Sequence, residues 1–117
     1  MVVQTPMTVV EMPAFLQHAR TILSESERAN LMRYVATYPE AGQVIPGTGG
    51  ARKLRWAIPG KGKRGGGRTI YFYHNQEIPL FLLDIHRKNE KVNLSASEKR
   101  SLKAILAQIP WQYAGKR

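Results

Sequence analysis

The first third of the chain carries the hydrophobic spacing of two amphipathic helices. A short Val- and Thr-rich strand over Met7–Met12 precedes Pro13, which suits the first turn of a helix, and apolar residues then recur at i, i+1, i+4, i+7 and i+8. Ser24 and Glu27 have the spacing of a capping box, which predicts a second helix that ends near Pro39. We expect these two helices to cover one face of a sheet.

The middle of the chain has the alternating pattern of β-strands. Within Ala51–Ala57, Leu54 and Trp56 alternate with Lys53 and Arg55, so apolar and cationic side chains fall on opposite faces. The turn-rich segment 44–50 leads into this strand. Because the two cations share a face, that face is a candidate binding surface.

Two further strands are predicted after a loop rich in Gly, Lys and Arg at Pro59–Gly67. Arg68–His74 resumes the alternation, with Ile70 and Phe72 on one face. Pro79–His86 is almost continuously apolar, which is typical of a central strand that is buried on both faces.

A capping box at Ser95 and Glu98 opens a last helix, which we expect Pro110 to stop. The order is then β-α-α-β-β-β-α, an α+β fold with a small antiparallel sheet, two N-terminal helices and one C-terminal helix. We expect a single domain over residues 1–117, with a core at about 7–109 and terminal extensions at 1–6 and 111–117.

Composition adds a strong excess of positive charge. The 117 residues hold 18 Lys and Arg against 8 Asp and Glu, a formal net charge of +10, and no cysteine. The charge favours a nucleic-acid partner, and the missing cysteines exclude disulfides, a thiol nucleophile and a Cys-ligated zinc site. Apolar runs too short for a bilayer and an N-terminus unlike a signal peptide lead us to expect a cytoplasmic protein with no membrane partner, starting at Met1 or Met7.

The cations concentrate on the two strands around the glycine-rich loop, where no acid occurs. Seven of the 18 lie in this stretch: Arg52, Lys53, Arg55, Lys61, Lys63, Arg64 and Arg68. The loop matches neither the Walker A nor the dinucleotide-binding pattern, so no nucleotide cofactor is expected. Glycines let the backbone approach an anion closely, and the stretch therefore predicts a phosphate-facing surface with RNA as its partner. The alternative is a flexible, solubilising hairpin.

Four cations are expected to converge if the strands are antiparallel neighbours: Lys53, Arg55, Arg68 and Lys88. Such a cluster repels itself unless an anion such as a phosphate joins it, although the charges could also be separately solvated. Tyr71 and Tyr73 are candidates for stacking on RNA bases or for the core. His86 stands at a strand end, where it could transfer protons. No metal site is predicted from three scattered histidines.

The segments VIPGTGGARKLRWA, KGKRGGGR, TIYFY and FLLDIHRKNE, followed by a closing helix, resemble the RelE/ParE superfamily of toxins, in particular the HigB-type branch of type II toxin–antitoxin systems. The resemblance covers about Met7–Ile109. It implies a metal-independent endoribonuclease (an mRNA interferase) that cleaves mRNA in the ribosomal A site through attack by the ribose 2′-OH, and so inhibits translation and growth. It also implies a HigA-like helix-turn-helix antitoxin as partner.

The same resemblance suggests roles for individual residues. Arg68 matches the phosphate-stabilising arginine of the family, and Lys88 matches its second basic position. Lys53, Arg55, Lys61 and Lys63 are candidates for proton transfer and backbone binding, with His86 as a further proton-transfer candidate. The remaining RNA-binding candidates are Arg52, Arg64, Arg87, Tyr71 and Tyr73.

One position departs from the family. RelE carries a catalytic tyrosine after the basic turn, where this chain has Val92, Asn93 and Leu94. The role would then move to Tyr71, Tyr73 or His86, or be missing. Two other functions stay open: a ParE-like inhibitor of DNA gyrase, which would have no need of a phosphate-binding sheet, and an RNA-binding protein without catalysis.

Overall fold

The computed structural model describes residues 7–58, 66–88, 90 and 93–114, which form one sheet with helices on both of its faces. In chain order the elements are β1 (Val9–Glu11), α1 (Pro13–Ile22), α2 (Glu25–Thr37), β2 (Gln43–Val44), β3 (Ala51–Trp56), β4 (Gly67–Phe72), β5 (Leu80–Arg87) and α3 (Ala96–Ala114). The strand order across the sheet is β1-β5-β4-β3-β2. The predicted α+β class is confirmed, with β2 as one short strand more than expected.

The sheet differs from the predicted antiparallel arrangement at one edge. β1 runs parallel to β5, with Val9 opposite Leu80, whereas the other neighbouring strands are antiparallel. A parallel pair cannot be joined by a tight turn and needs a long crossover. The sequence supplies one, because α1 and α2 follow β1 and carry the chain across the sheet to its opposite edge.

The two N-terminal helices cover one face of the sheet, as predicted. The capping box at the start of α2 is present: Ser24 Oγ accepts from the Glu27 N–H at 3.2 Å, and Glu27 Oε1 accepts from the Ser24 N–H at 2.7 Å. The apolar stripes of both helices pack on alternate residues of the strands beneath them. The fully buried side chains of this layer include Phe15, Leu31, Val35, Leu80 and Leu82.

Helix α3 covers the other face, where Leu106 and Ile109 are buried against Ile70, Phe72 and Phe81. The expectation that Pro110 stops this helix is wrong, because α3 continues to Ala114. A proline inside a helix costs about 3 kcal/mol through its missing N–H and steric clash. Packing on both sides of Pro110 offsets that cost: Ile109 is buried, and the Tyr113 ring lies 6.3 Å from the Phe81 ring.

No helix in the described ranges combines the length and apolar character that crossing a bilayer requires. In β5, Leu80, Phe81, Leu82 and Ile85 are buried, so the prediction of a central strand is confirmed. A register irregularity in the β4–β5 pairing lies beside Asp84, and Asp84 Oδ1 is 2.6 Å from His18 Nδ1 on α1.

A buried tyrosine ties the chain after α2 to the sheet. Tyr71 on β4 is completely buried; its hydroxyl donates to the Pro39 carbonyl at 2.8 Å and accepts from the Gly42 N–H at 2.7 Å. Arg52 on β3 donates to the Gly42 carbonyl at 2.7 Å. Only glycine fits at position 42, because an added Cβ would lie 2.8 Å from both the Lys53 carbonyl oxygen and the Tyr71 ring. This anchor fixes the entry into β2 and β3.

We expect Tyr71→Phe to lower the free energy of unfolding by about 1–3 kcal/mol, because it leaves the buried Gly42 N–H without an acceptor. Thermal or urea unfolding measures the change. The matched control is Tyr38→Phe, since the Tyr38 ring is 57% exposed and its replacement should change stability little. Equal effects of the two substitutions would contradict the anchoring role of Tyr71.

The buried hydroxyl of Tyr71 predicts that the stability of the fold falls at alkaline pH. Burial raises the pKa of Tyr71 above the ordinary tyrosine value of about 10. The folded state therefore holds this proton more tightly than the unfolded chain, so its contribution to stability is complete below pH ~10 and is lost as the pH rises through the folded-state pKa. In Tyr71→Phe this alkaline loss should be smaller than in the wild type, as measured by denaturant unfolding from neutral to alkaline pH.

Candidate functional site

The sheet face under α3 is divided along its strands into an apolar half and a cationic half. At one end, Ala51 on β3, Phe72 on β4 and Phe81 on β5 form the core beneath α3. At the other end, the same face of the three strands carries Lys53, Arg55, Arg68 and His86. This cationic half is the candidate site.

Strand pairing fixes the arrangement of the site. Arg55 lies directly opposite Arg68 on β4, and Arg68 lies directly opposite His86 on β5. Neighbouring strands are about 4.8 Å apart, so these three residues span about 10 Å across the sheet. Lys53 precedes Arg55 by two residues and therefore lies on the same face, about 7 Å along β3. The side chains start from a rigid surface and not from a loop.

Lys88 is held beside this row by the turn that follows β5. Its backbone N–H donates to the Gly66 carbonyl at 3.1 Å, which ties the turn to the start of β4. Glu90 closes the turn, since its carboxylate accepts from the Arg87 N–H at 2.8 Å. As a result, Lys88 lines a pocket of about 250 Å³ together with Arg55 and Arg68.

Gly67 lets the strands at the site pack closely. It lies between Trp56 and Arg87 in the sheet, immediately before Arg68. A Cβ at this position would be 2.8 Å from Ile58 Cδ1 and 3.0 Å from the carbonyl oxygen of His86. Any larger residue would displace Ile58 or the strand that carries His86, so this glycine contributes to the geometry of the site.

Arg68 is the residue common to three adjoining depressions. Besides the pocket with Lys88, it lines one of about 320 Å³ with Lys53 and Arg55, and one of about 110 Å³ with Lys53 and His86. Among the described residues, the linings of these depressions contain no acid, and no salt bridge joins Lys53, Arg55 or Lys88 to a carboxylate. The five predicted catalytic positions are thus brought together around one concave surface.

The positive charges of this surface suit a polyanion, a molecule that carries several negative groups. Two like charges 5 Å apart repel by about 1 kcal/mol in water, and by more in the less polar surroundings of a pocket. A phosphodiester strand relieves this repulsion, and arginine can grip a phosphate with two parallel hydrogen bonds. His86 adds a group that can take up or release a proton in the same place. In the described ranges, no three His, Asp or Glu side chains form a group that could hold a metal ion.

Four of the predicted RNA-binding residues are on the opposite side of the sheet. The prediction that Tyr71 stacks on RNA bases is wrong because its ring is completely buried. Tyr73 alternates with it on the same α2-facing side and is partly buried there. Arg52 donates to the Glu40 and Gly42 carbonyls, and Arg87 donates to the Thr21 carbonyl at the end of α1. These four side chains do not contribute to the surface around Arg68, because they lie on the other side of the sheet. Tyr71, Arg52 and Arg87 there bond to loops and helices.

Three other predicted RNA-binding residues, Lys61, Lys63 and Arg64, lie outside the described residues. The structure also adds two residues to the site: Lys99, which the sequence analysis did not single out, and Asn93, which it named only where the family tyrosine is missing. Asn93 and Lys99 line the pocket that Arg68 shares with His86. The sequence did contain a signal for these two residues. Few residues separate the basic turn after β5 from the start of α3, so the first turn of α3 must lie close to that end of the sheet.

Comparison with known proteins agrees with the fold. The model of the family described as "RelE toxin of RelE / RelB toxin-antitoxin system" matches residues 31–114, which is most of the chain. A solved structure of a mutant of the toxin RelE from E. coli, in the free state, aligns with a TM-score of 0.53. The alignment covers 86% of this chain and 96% of that chain at 18% sequence identity, a level at which the likeness shows the fold alone.

The register of the site predicts that its charges lower the stability of the fold. Like charges directly opposite each other on neighbouring strands are destabilising, so Arg55→Gln should raise the free energy of unfolding by roughly a few tenths of a kcal/mol at low salt, the usual size of an exposed charge–charge interaction. The gain should shrink with added salt, which screens the repulsion. Urea unfolding at two salt concentrations measures it. Arg33→Gln, at an exposed position of α2, is the control and should show no such salt-dependent gain.

Proposed function

The chain belongs to the RelE family of toxins from toxin–antitoxin systems, and from this premise we propose that it is a ribosome-dependent mRNA endoribonuclease of the HigB type. Its reaction needs no metal ion and is carried out by lysine, arginine and histidine side chains. Cleavage of mRNA in the ribosomal A site stops translation and arrests growth. The protein acts in the cytoplasm, where translating ribosomes are found.

The observation that carries this proposal is the row Arg55, Arg68 and His86 across three strands, with Lys53 and Lys88 beside it. A site of this composition offers hydrogen-bond donors and positive charge where a phosphodiester would lie. It also offers a proton-transfer group within the same pocket. A surface used only for binding would have no need of His86 beside the arginine that contacts the phosphate.

The proposed reaction is an internal transfer of the phosphodiester. The ribose 2′-oxygen loses its proton to a base on the enzyme and forms a bond to phosphorus, while the bond from phosphorus to the 5′-oxygen breaks. The leaving 5′-oxygen takes up a proton, and the other product ends in a 2′,3′-cyclic phosphate. The enzyme must therefore move two protons and stabilise the extra negative charge of the phosphorane.

We assign these tasks from the positions of the side chains. Arg68, at the centre of the row, holds the phosphate and stabilises the charge that develops on it. Lys88 and Arg55 share a pocket with Arg68 and add positive charge on one side of it. Lys53 and His86 share the pocket on the other side and are the candidates for proton transfer.

The missing family tyrosine points to His86 in particular. After the basic turn, where the family resemblance would place the tyrosine of RelE, this chain has Val92, Asn93 and Leu94. Asn93 and Leu94 line the pocket with His86. Neither side chain can exchange a proton near neutral pH. Since Tyr71 is buried and Tyr73 faces α2, His86 is the aromatic, proton-exchanging group that remains near Arg68 among the described residues.

We expect Arg68→Ala to reduce mRNA cleavage by about two to three orders of magnitude, the usual loss when one donor to a developing negative charge is removed. The measurement is expression from a tight promoter with mapping of mRNA 5′ ends, on a translated reporter and on the same reporter without its start codon. Wild-type cuts should be in frame and should disappear when translation is prevented. Arg33→Ala, which removes an exposed arginine that donates to Asn30 on the same helix, should cleave like the wild type.

Three outcomes would contradict the proposal. Growth arrest without mRNA cleavage would indicate a gyrase-type target, as in ParE toxins. Cleavage that persists unchanged in Arg68→Ala would remove this surface from the reaction. A protein that binds RNA but never cleaves it, and whose Arg68→Ala variant only loses affinity, would be the non-catalytic alternative.

We also propose a cognate antitoxin of the HigA type, with a helix-turn-helix domain and an acidic contact segment that complements the net charge of +10. Co-expression of the small protein encoded beside the toxin gene should restore growth, and purified complexes should weaken as salt increases. Absence of a neighbouring gene whose product neutralises the toxin would contradict this part of the proposal.

A further inference from the structure

Lys99, in the first turn of α3, lies across the pocket from the cationic row on the sheet. It lines the depression of about 110 Å³ that also includes Lys53, Arg68 and His86. The rest of the lining is mainly apolar: Ile45, Pro46, Ile70 and Leu94, with Asn93 as a further polar group. The pocket therefore combines cations from the sheet and from α3 with several apolar side chains.

The glycine-rich turn before β3 lies beside Lys99. Gly47, Gly49 and Gly50 have positive φ angles of 81°, 76° and 113°, which residues with a Cβ rarely adopt. The turn lies close to α3: a Cβ on Gly47 would be in ordinary contact with Lys99 Cδ at 3.8 Å, and one on Gly49 with Lys103 Cγ at 3.5 Å. The turn therefore lies against the aliphatic parts of Lys99 and Lys103, and their ammonium groups extend beyond it.

The start of α3 is fixed without using the charge of Lys99. Ser95 Oγ accepts from the Glu98 N–H at 3.1 Å, and Glu98 Oε1 accepts from the Ser95 N–H at 2.8 Å. The Lys99 N–H continues the helix by donating to the Ser95 carbonyl at 3.0 Å. Over the described ranges, no salt bridge connects the Lys99 ammonium to an acid. Its charge is available to a ligand of the pocket.

We propose that Lys99 binds the phosphate next to the one held by Arg68, so that the RNA strand is gripped between the sheet and the first turn of α3. The apolar part of the lining can contact the nucleoside that joins the two phosphates. This inference rests on the proposed function and adds a binding residue that lies on a helix and not on the sheet. Lys99 contributes to substrate binding and leaves the chemical step to the residues around Arg68.

The test compares Lys99→Met with Lys103→Met. Both substitutions keep an unbranched stem against the glycine turn and remove one charge, but Lys103 does not line the pocket. The probe is a single-stranded RNA oligonucleotide with 2′-O-methyl ribose throughout, which cannot be cleaved by attack of a 2′-hydroxyl. We expect Lys99→Met to weaken its binding roughly tenfold and to reduce the slope of log affinity against log salt by about 0.7, the value for one phosphate contact on a single strand.

The controls separate a specific contact from a general loss of charge. Lys103→Met should bind the oligonucleotide within roughly twofold of the wild type, and Lys99→Arg should retain most of the affinity because it keeps the charge. Equal losses in Lys99→Met and Lys103→Met would overturn the proposal. So would unchanged RNA affinity in Lys99→Met together with weaker binding of the antitoxin. Thermal unfolding of each variant shows whether the fold is intact.

Cleavage on programmed ribosomes separates binding from chemistry. Lys99→Met should raise the toxin concentration needed for half-maximal cleavage while leaving the maximal rate nearly unchanged. A fall in the maximal rate alone would assign Lys99 to the chemical step and overturn its role in binding. If the wild type cleaves no mRNA, the proposed function fails, and the oligonucleotide affinities of the two methionine variants decide the role of Lys99.

Discussion

The structure depends on one constraint: the α3-facing side of a single sheet serves as a hydrophobic core over half of its length and as a charged surface over the other half. α3 packs on the apolar half through Leu106 and Ile109. The cationic half cannot be covered in the same way, since burying unpaired charges is prohibitively costly. The site therefore begins where α3 no longer packs on the sheet. Each strand runs from the hydrophobic core beneath α3 into the site.

The opposite side of the sheet has no such division. α1 and α2 cover it, and the polar side chains found there are committed to holding the fold together. Tyr71 and Arg52 anchor the chain that follows α2, and Arg87 reaches the end of α1. Two arginines of similar sequence context, Arg52 and Arg55, thus have different roles because they are three residues apart on a strand and point to opposite faces.

Much of this arrangement could be predicted from local patterns. The capping boxes at Ser24 and Ser95 fixed two helix starts, and the alternation around Lys53 and Arg55 placed both cations on one face. Other features depended on information that local patterns do not contain. Whether the Tyr71 side of β4 faces solvent depends on which helices cover it, and the course of α3 past Pro110 depends on packing against Phe81. Lys99 joins the pocket through a contact between two segments about fifty residues apart in sequence.

The position of the site on β3, β4 and β5 has a consequence for how such a protein can be controlled. Backbone amides in the central strands of a domain exchange with solvent only when much of the molecule opens, whereas loops open at small cost in free energy. A row of side chains carried by these strands keeps its geometry for as long as the domain stays folded. Local unfolding of loops would therefore do little to inactivate the site. Control of a surface of this kind has to come from outside the domain, through a partner that covers it or through removal of the whole protein.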